Sequence, residues 1–292
     1  MIIKVNFIIK NIIVQSTLPN LRKLVIIYIR KDDYKEVIRL QESSSKRKLK
    51  SFIYLNRDKS IEELKEEINI LNKNKDSQSY NNRLFFELYN SNRIEGNSLT
   101  QIDTKLLLED KILPEDQPYK DIVETLNINR AFKQYKRFDN LSLEHILDIH
   151  KTITMDVLKD SECGELRNCS VYIQGSEHIP PKSEEVLEKL EDTINEYNAS
   201  KKQLEDIFLF KLKFVAIHPF VDGNGRVSRI LMNGLLEGKG YPRLIITENE
   251  RGLYYKYLEI ATVKFKSEEW IRYCINLLLY TLTYLKESDI LS

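Results

Sequence analysis

Cysteine is nearly absent from the chain. Its three residues, Cys163, Cys169 and Cys274, are odd in number and show no CxxC spacing. That pattern argues against a disulfide framework or a zinc knuckle and fits a reducing, cytoplasmic setting. No run of about 18 apolar residues occurs, so no membrane span is expected. The apolar start is broken by Lys4, Asn6 and Lys10 with no small-residue cleavage site after it, and does not read as a signal peptide. Histidine is also scarce, with only His145, His150, His178 and His218. The first two are five apart, about 140° around a helix, so they do not share a face, read as ordinary helix residues, and leave a metal hydrolase without a ligand set. An excess of charge of one sign is missing too: 45 basic residues stand against 44 acidic ones, which favours neither nucleic acid nor an acidic partner for the whole chain.

The balance is local rather than uniform. Residues 1–60 carry 14 basic and 5 acidic side chains, a net of +9 that leaves −8 for the rest. This part is rich in Ile, Val, Tyr and Phe, in short runs at 24–29, 35–40 and 52–55 separated by polar clusters, which predicts a small antiparallel β-module. The basic stretch 46–50 reads first as a lysine-protected strand edge rather than a nucleic-acid patch. Ser60 followed by Glu63 is a capping box, and Ile61, Leu64, Ile68 and Leu71 continue it at helical spacing, predicting a helix of about 12 residues. Residues 72–82 are polar and aperiodic and mark a boundary, giving a basic β-rich module with its helix over 1–75 and a second domain over 76–292.

Beyond that boundary glycine and proline are sparse and apolar residues recur every three to four positions, so the second domain is mainly α. Helices are expected near 80–93, 101–109, 120–136, 142–157, 183–198, 203–217, 226–238, 248–261 and 267–287. The segment 167–181 breaks the pattern. Val171, Tyr172 and Ile173, flanked by Gly164, Gly175 and Pro180-Pro181, predict a short β-hairpin, a place where an extended peptide of a partner could pair.

The chemistry concentrates in residues 218–229, HPFVDGNGRVSR, between two helical stretches. Gly223 and Gly225 let backbone approach a ligand closely, and a helix N-terminus behind a glycine-rich nest offers N–H groups to phosphate. Arg226 and Arg229, three apart on one helix face, can both grip one polyphosphate. Asp222 is a hard oxygen ligand suited to Mg²⁺, and His218 can accept a proton from an attacking hydroxyl.

This segment resembles the Fic family signature at every defined position. The resemblance implies a Fic-type helical domain with the hairpin of 167–181 as a flap over the target side chain, Val171, Tyr172 and Ile173 docking it. It implies transfer of AMP from ATP to a Tyr, Thr or Ser hydroxyl of a protein, the chain itself included. In that reading His218 is the base, Asp222 binds Mg²⁺, Gly223, Asn224 and Gly225 cradle the phosphates, Arg226 and Arg229 clamp them, and Phe220 anchors the loop. Gly225 favours AMP transfer over the kinase members, which carry lysine there. Residues 91–97, SNRIEGN, are similar to the family's inhibitory motif, so the helix over about 80–97 is expected to place Glu95 on Arg229. Tyr254 and Tyr255 fall in a segment like the one beside the family's adenine pocket. Two other readings stay open: removal of AMP at the same site, with Glu95 orienting water, and a non-catalytic, nucleotide-sensing regulator that binds nucleic acid through its basic module. A homo-oligomer is compatible with the sequence.

Overall fold

A computed structural model describes residues 7–8, 11–12, 46–73 and 80–284 of the chain. Two compact units are present, Met1–Ser51 and Phe52–Ser292. Among the described residues of the first, the strands are the two-residue pieces Phe7–Ile8 (β1) and Asn11–Ile12 (β2), paired antiparallel. These do not amount to the β-module expected from composition, and the expectation is corrected. The runs at 24–29 and 35–40 lie outside the described residues. The run at 52–55 is not strand but the end of a helix, α1 (Lys46–Leu55), and the basic stretch 46–50 is the start of that helix rather than a strand edge. Local β-propensity is weak enough for context to override it.

The second unit is helical. Helix α2 (Ile61–Lys73) starts on the predicted capping box: Ser60 N–H donates to Glu63 Oε2 at 2.6 Å, and Glu63 N–H donates to Ser60 Oγ at 3.1 Å. Next come α3 (Tyr80–Ile94), the short α4 (Gln101–Lys105) running into a π-helical turn at Leu106–Asp110, α5 (Tyr119–Gln134) and α6 (Leu143–Thr154). After the 167–181 segment come α7 (Val186–Ala199), α8 (Leu204–Ile217), α9 (Asn224–Gly238), α10 (Arg251–Val263) and α11 (Ser267–Tyr284). Among the described residues no helix is long and apolar enough to cross a membrane.

Helix α8 is the central element, because its apolar residues surround it instead of forming one stripe. Ile207, Phe208, Phe210, Phe214 and Ile217 are all buried. An all-round apolar helix must be covered on every side. Helices α7, α9, α10 and α11 supply that cover, while α5 and α6 pair beside α9 and α3 lies across α5 and α9. The loop joining α8 to α9 therefore projects from two largely buried helices of the unit.

The predicted β-hairpin over 167–181 is also corrected, since this segment contains no strand. Gly175 turns the chain in the left-handed region at φ 79°, with Ser176 N–H donating to the Ile173 carbonyl at 3.1 Å. Pro180 and Pro181 have no N–H to give to a ladder. The backbone is held instead by its surroundings. Arg167 N–H donates to the Pro219 carbonyl at 2.9 Å, and the Arg167 side chain reaches the carbonyls of Cys169 (2.8 Å) and Pro181 (2.5 Å) within the segment.

Candidate active site

Helix α8 ends at His218, which takes a left-handed conformation (φ 51°, ψ 61°) while its N–H closes on the Phe214 carbonyl at 3.1 Å. This sharp stop turns the chain into the loop. Phe220 is fully buried and anchors it, as expected. The Asn224 side chain closes the loop on itself: its Nδ2 donates to the Phe220 carbonyl at 2.8 Å, and its Oδ1 accepts from the Phe220 N–H at 2.9 Å. Gly223 precedes α9 at φ 81°, a conformation that glycine adopts without steric cost. The first N–H groups of α9 then have no acceptor within the helix.

His150, an ordinary helix residue by its spacing, supports the loop from α6. Its ring stacks on Phe220 at 3.7 Å between centroids and 3° between planes. Nδ1 accepts the Gly164 N–H at 2.9 Å and Nε2 donates to the Asp222 carbonyl at 3.1 Å, a pattern that requires the neutral ring. Burial lowers its pKa to about 4, the Asp222 carbonyl opposing that shift and Arg226 adding to it.

Around the loop the charged groups meet in pairs. Arg229 Nη2 donates to Glu95 Oε1 at 2.7 Å and to the Ser91 carbonyl at 3.0 Å, and its Nε donates to Ser91 Oγ at 2.8 Å. Glu95 lies on Gly225 so closely that a β-carbon there would collide with Oε1. The carboxylate thus stands at the glycine-rich helix start, where an anion would dock. Arg226 Nη1 pairs with Glu124 Oε1 at 2.7 Å, and its Nη2 reaches Asp222 Oδ1 at 3.5 Å. Arg226 Nε and Arg229 Nη1 are buried donors without a partner, as expected for groups that await oxygen ligands.

The Asp222 side chain is half-exposed, and Oδ1 also accepts the Gly223 N–H at 2.6 Å. Among the described residues no cluster of three or more His, Cys, Asp or Glu side chains is suited to a metal. One exposed carboxylate fits a Mg²⁺ that takes its remaining oxygens from phosphate and water, as Mg²⁺ usually does.

His218 is largely buried, and burial lowers its pKa, with the Val215 carbonyl, Glu95 and Asp222 opposing the shift and Arg167 reinforcing it. Its Nδ1 is buried without a well-formed hydrogen bond. Arg167 fixes the backbone beneath it, with Nε donating to the His218 carbonyl at 2.8 Å and Nη2 to the Ile217 carbonyl at 3.3 Å. His178 Nε2 donates to the Ala216 carbonyl at 2.8 Å. The last carbonyls of α8 are therefore capped by side chains of the 167–181 segment, a cation at a helix C-terminus. Within that segment Tyr172 is 85% exposed while Val171 and Ile173 are partly covered.

The two tyrosines separate. Tyr254 is 1% exposed and its hydroxyl accepts from the fully buried Lys211 Nζ at 2.7 Å, so it belongs to the packing under Arg229. Tyr255 is 39% exposed at the rim, its pKa raised to about 12 by burial and then by Glu95, against Arg229. Lys211 itself has its pKa lowered to about 7 by burial.

A histidine at a helix end, a glycine-rich helix start, two half-satisfied arginines and a carboxylate lodged on one of them meet at this loop. In comparison with known proteins, residues 140–236 match the model of the Fic/DOC family. The chain is 35% identical over 185 residues to the protein adenylyltransferase Fic of Drosophila willistoni, covering 61% of this chain and 36% of that protein. It is 33% identical over 187 residues to the one of Nematostella vectensis, covering 61% and 43%. The chain thus spans about two fifths of the length of the curated relatives it matches. Among solved structures it resembles Fic-1 (aa134–508) from C. elegans, with a TM-score of 0.68, 22% identity and coverage of 88% and 77%. A Fic family protein from Desulfovibrio desulfuricans gives a TM-score of 0.71 at 20% identity, covering 78% and 74%.

Proposed function

We propose that the chain is a protein adenylyltransferase, transferring AMP from ATP to a hydroxyl side chain of a protein, and that Glu95 inhibits it. The observation that carries this reading is the Glu95–Arg229 pair on Gly225, beside a histidine whose pKa is lowered by burial. The Drosophila and Nematostella relatives described above bear the name of that activity.

His218 Nε2 takes the proton from the target hydroxyl as its oxygen attacks the α-phosphorus. The new oxygen–phosphorus bond forms, the bond to the bridging oxygen of pyrophosphate breaks, and pyrophosphate leaves. Arg226 and Arg229 hold the polyphosphate, each with a free N–H to add, and the start of α9 binds anionic oxygens through its backbone. Mg²⁺, held at Asp222, would neutralise charge on the leaving group. With Glu95 on Arg229, the terminal phosphate loses its clamp and its space. Even ~1 Å of misplacement at the reacting phosphorus can slow transfer on the order of 100-fold. Tyr172, the most exposed large apolar residue of the 167–181 segment, is our candidate for first contact with the target, with Val171 and Ile173 beside it. The scarcity of cysteine supports a cytoplasmic setting.

The test is incubation of wild type, Glu95→Gly and His218→Ala with Mg²⁺ and α-labelled ATP. Label on protein is expected to be strong for Glu95→Gly, weak for wild type and absent for His218→Ala. Absence of α-label from all three, with cell lysate supplied as target, would refute the reading.

A further inference from the structure

Glu124 is a charged residue on the buried face of α5, in line with Ile128 and Ala131, where the helical pattern calls for an apolar side chain. Its carboxylate is divided between two partners. Oε1 binds Arg226 Nη1 at 2.7 Å, and Oε2 accepts from Asn97 Nδ2 at 3.4 Å. Lys120 Nζ stands 3.8 Å from Oε1 at the exposed edge. Asn97 is itself fixed, donating through Nδ2 to the Asp121 carbonyl at 3.0 Å and accepting at its own carbonyl from Arg93 Nη1 at 2.7 Å.

Two arginines of the 218–229 segment thus each face a glutamate, and the two pairs differ. Glu95 retains 30% of its side-chain exposure against Arg229, so it can rotate into solvent when a phosphate arrives. Glu124 retains 8% against an Arg226 that retains 4%, has a second partner behind it, and leaves Arg226 Nε free. A buried carboxylate has nowhere to go, and removing it strands a buried guanidinium. A group that cannot leave does not compete with substrate. It sets the guanidinium plane and rotamer before substrate arrives.

We propose that Glu124 is a positioning residue that holds Arg226 ready for the phosphates of ATP, with an effect opposite in sign to that of Glu95. This rests on the reading of Arg226 as a phosphate ligand. Loss of Glu95 frees an arginine for ATP, whereas loss of Glu124 lets one wander.

The test uses the full chain in the Glu95→Gly background, with Glu124→Gln and Glu124→Asp added singly. ATP binding with Mg²⁺ is measured by calorimetry, and KM and kcat for α-label transfer are measured beside it. Glu124→Gln is expected to weaken ATP binding about tenfold and to raise KM similarly, with Glu124→Asp recovering part of the loss. A purely structural defect would lower the active fraction, hence kcat, and leave KM alone. Unchanged or tighter ATP binding in Glu124→Gln overturns the proposal, tighter binding making Glu124 a second inhibitor. If Glu124→Gln does not fold, Glu124→Asp, one methylene short of Arg226, carries the same comparison. Should Glu95→Gly bind ATP without transferring label, the transfer reading fails while the Glu124 comparison still stands on binding. If Glu95→Gly binds no ATP, both fall.

Discussion

His218 and His150 lie on either side of one loop, and burial lowers the pKa of both, with different consequences. In the transfer we propose, the neutral ring of His218 is the active form. Its pKa lies below the ordinary 6.5, so transfer by Glu95→Gly should be level above that pH and fall as pH drops through the lowered value. A kcat/KM profile, which reports the free protein, with its acid midpoint above 6.5 would contradict this assignment. For His150 the consequence is stability. Its folded pKa of about 4 lies below the ordinary 6.5, so the unfolded chain takes up the proton first. Its contribution is fully present above pH 6.5 and is lost between 6.5 and 4, by up to about 3 kcal/mol. Denaturant unfolding of wild type and His150→Gln at pH 7 and pH 5 checks this, since the variant should lose less stability over that interval. Equal losses would show that His150 does not carry the effect.

At the scale of elements, α9 carries both the site and the contact that seats it. Gly234 and Gly238 are one turn apart on the face against Phe138, whose N–H donates to the Gly234 carbonyl at 3.0 Å. A β-carbon at 238 would strike the Phe138 backbone carbonyl, and one at 234 would strike its ring. Gly238→Ala should therefore destabilise by about 1–3 kcal/mol despite the better helix propensity of alanine. Gly252, on α10 with nothing within 4 Å of where a β-carbon would stand, is the control: alanine there should be neutral or stabilising by up to about 1 kcal/mol. Thermal melts of the two variants decide it, and equal behaviour would refute the packing argument. Helix α3, which leads into Glu95, is fastened along its length. Glu87 is salt-bridged to Arg243, Asn92 Nδ2 donates to Thr125 Oγ1 at 3.1 Å, and Arg93 pairs with Glu248 at 2.9 Å. In the inhibition we propose, the Glu95 side chain moves to admit ATP while the helix stays in place.

At the scale of the whole molecule, Glu95 and Arg229 lie in one compact unit, so the inhibition we propose is intramolecular and should persist on dilution. Mg²⁺–ATP should raise the melting temperature of Glu95→Gly more than that of wild type, in which ligand must first displace the carboxylate. At a hundredfold excess over Kd the gain is about 2.7 kcal/mol. Equal shifts for the two proteins would mean that Glu95 does not compete. Much of this site is legible along the chain, because its chemistry is packed into 12 consecutive residues at a helix start. The helices of the second unit are legible too, since periodicity is a local property. The 167–181 segment misleads because β-branched residues around a glycine turn look alike whether they pair with each other or are held by Arg167 and His178. Glu124 and Lys211 leave a faint trace, each a charge within an apolar helical stripe, but the stripe does not name the partner. His150 leaves none, as its partner Asp222 lies 72 residues away. The sequence by itself determined which groups are available, the base, the glycine-rich helix start, the arginines and the acid, because these depend on short-range spacing. Only the tertiary structure decided which carboxylate faces which arginine and which of the two can leave, because burial is a property of packed helices and not of any one of them.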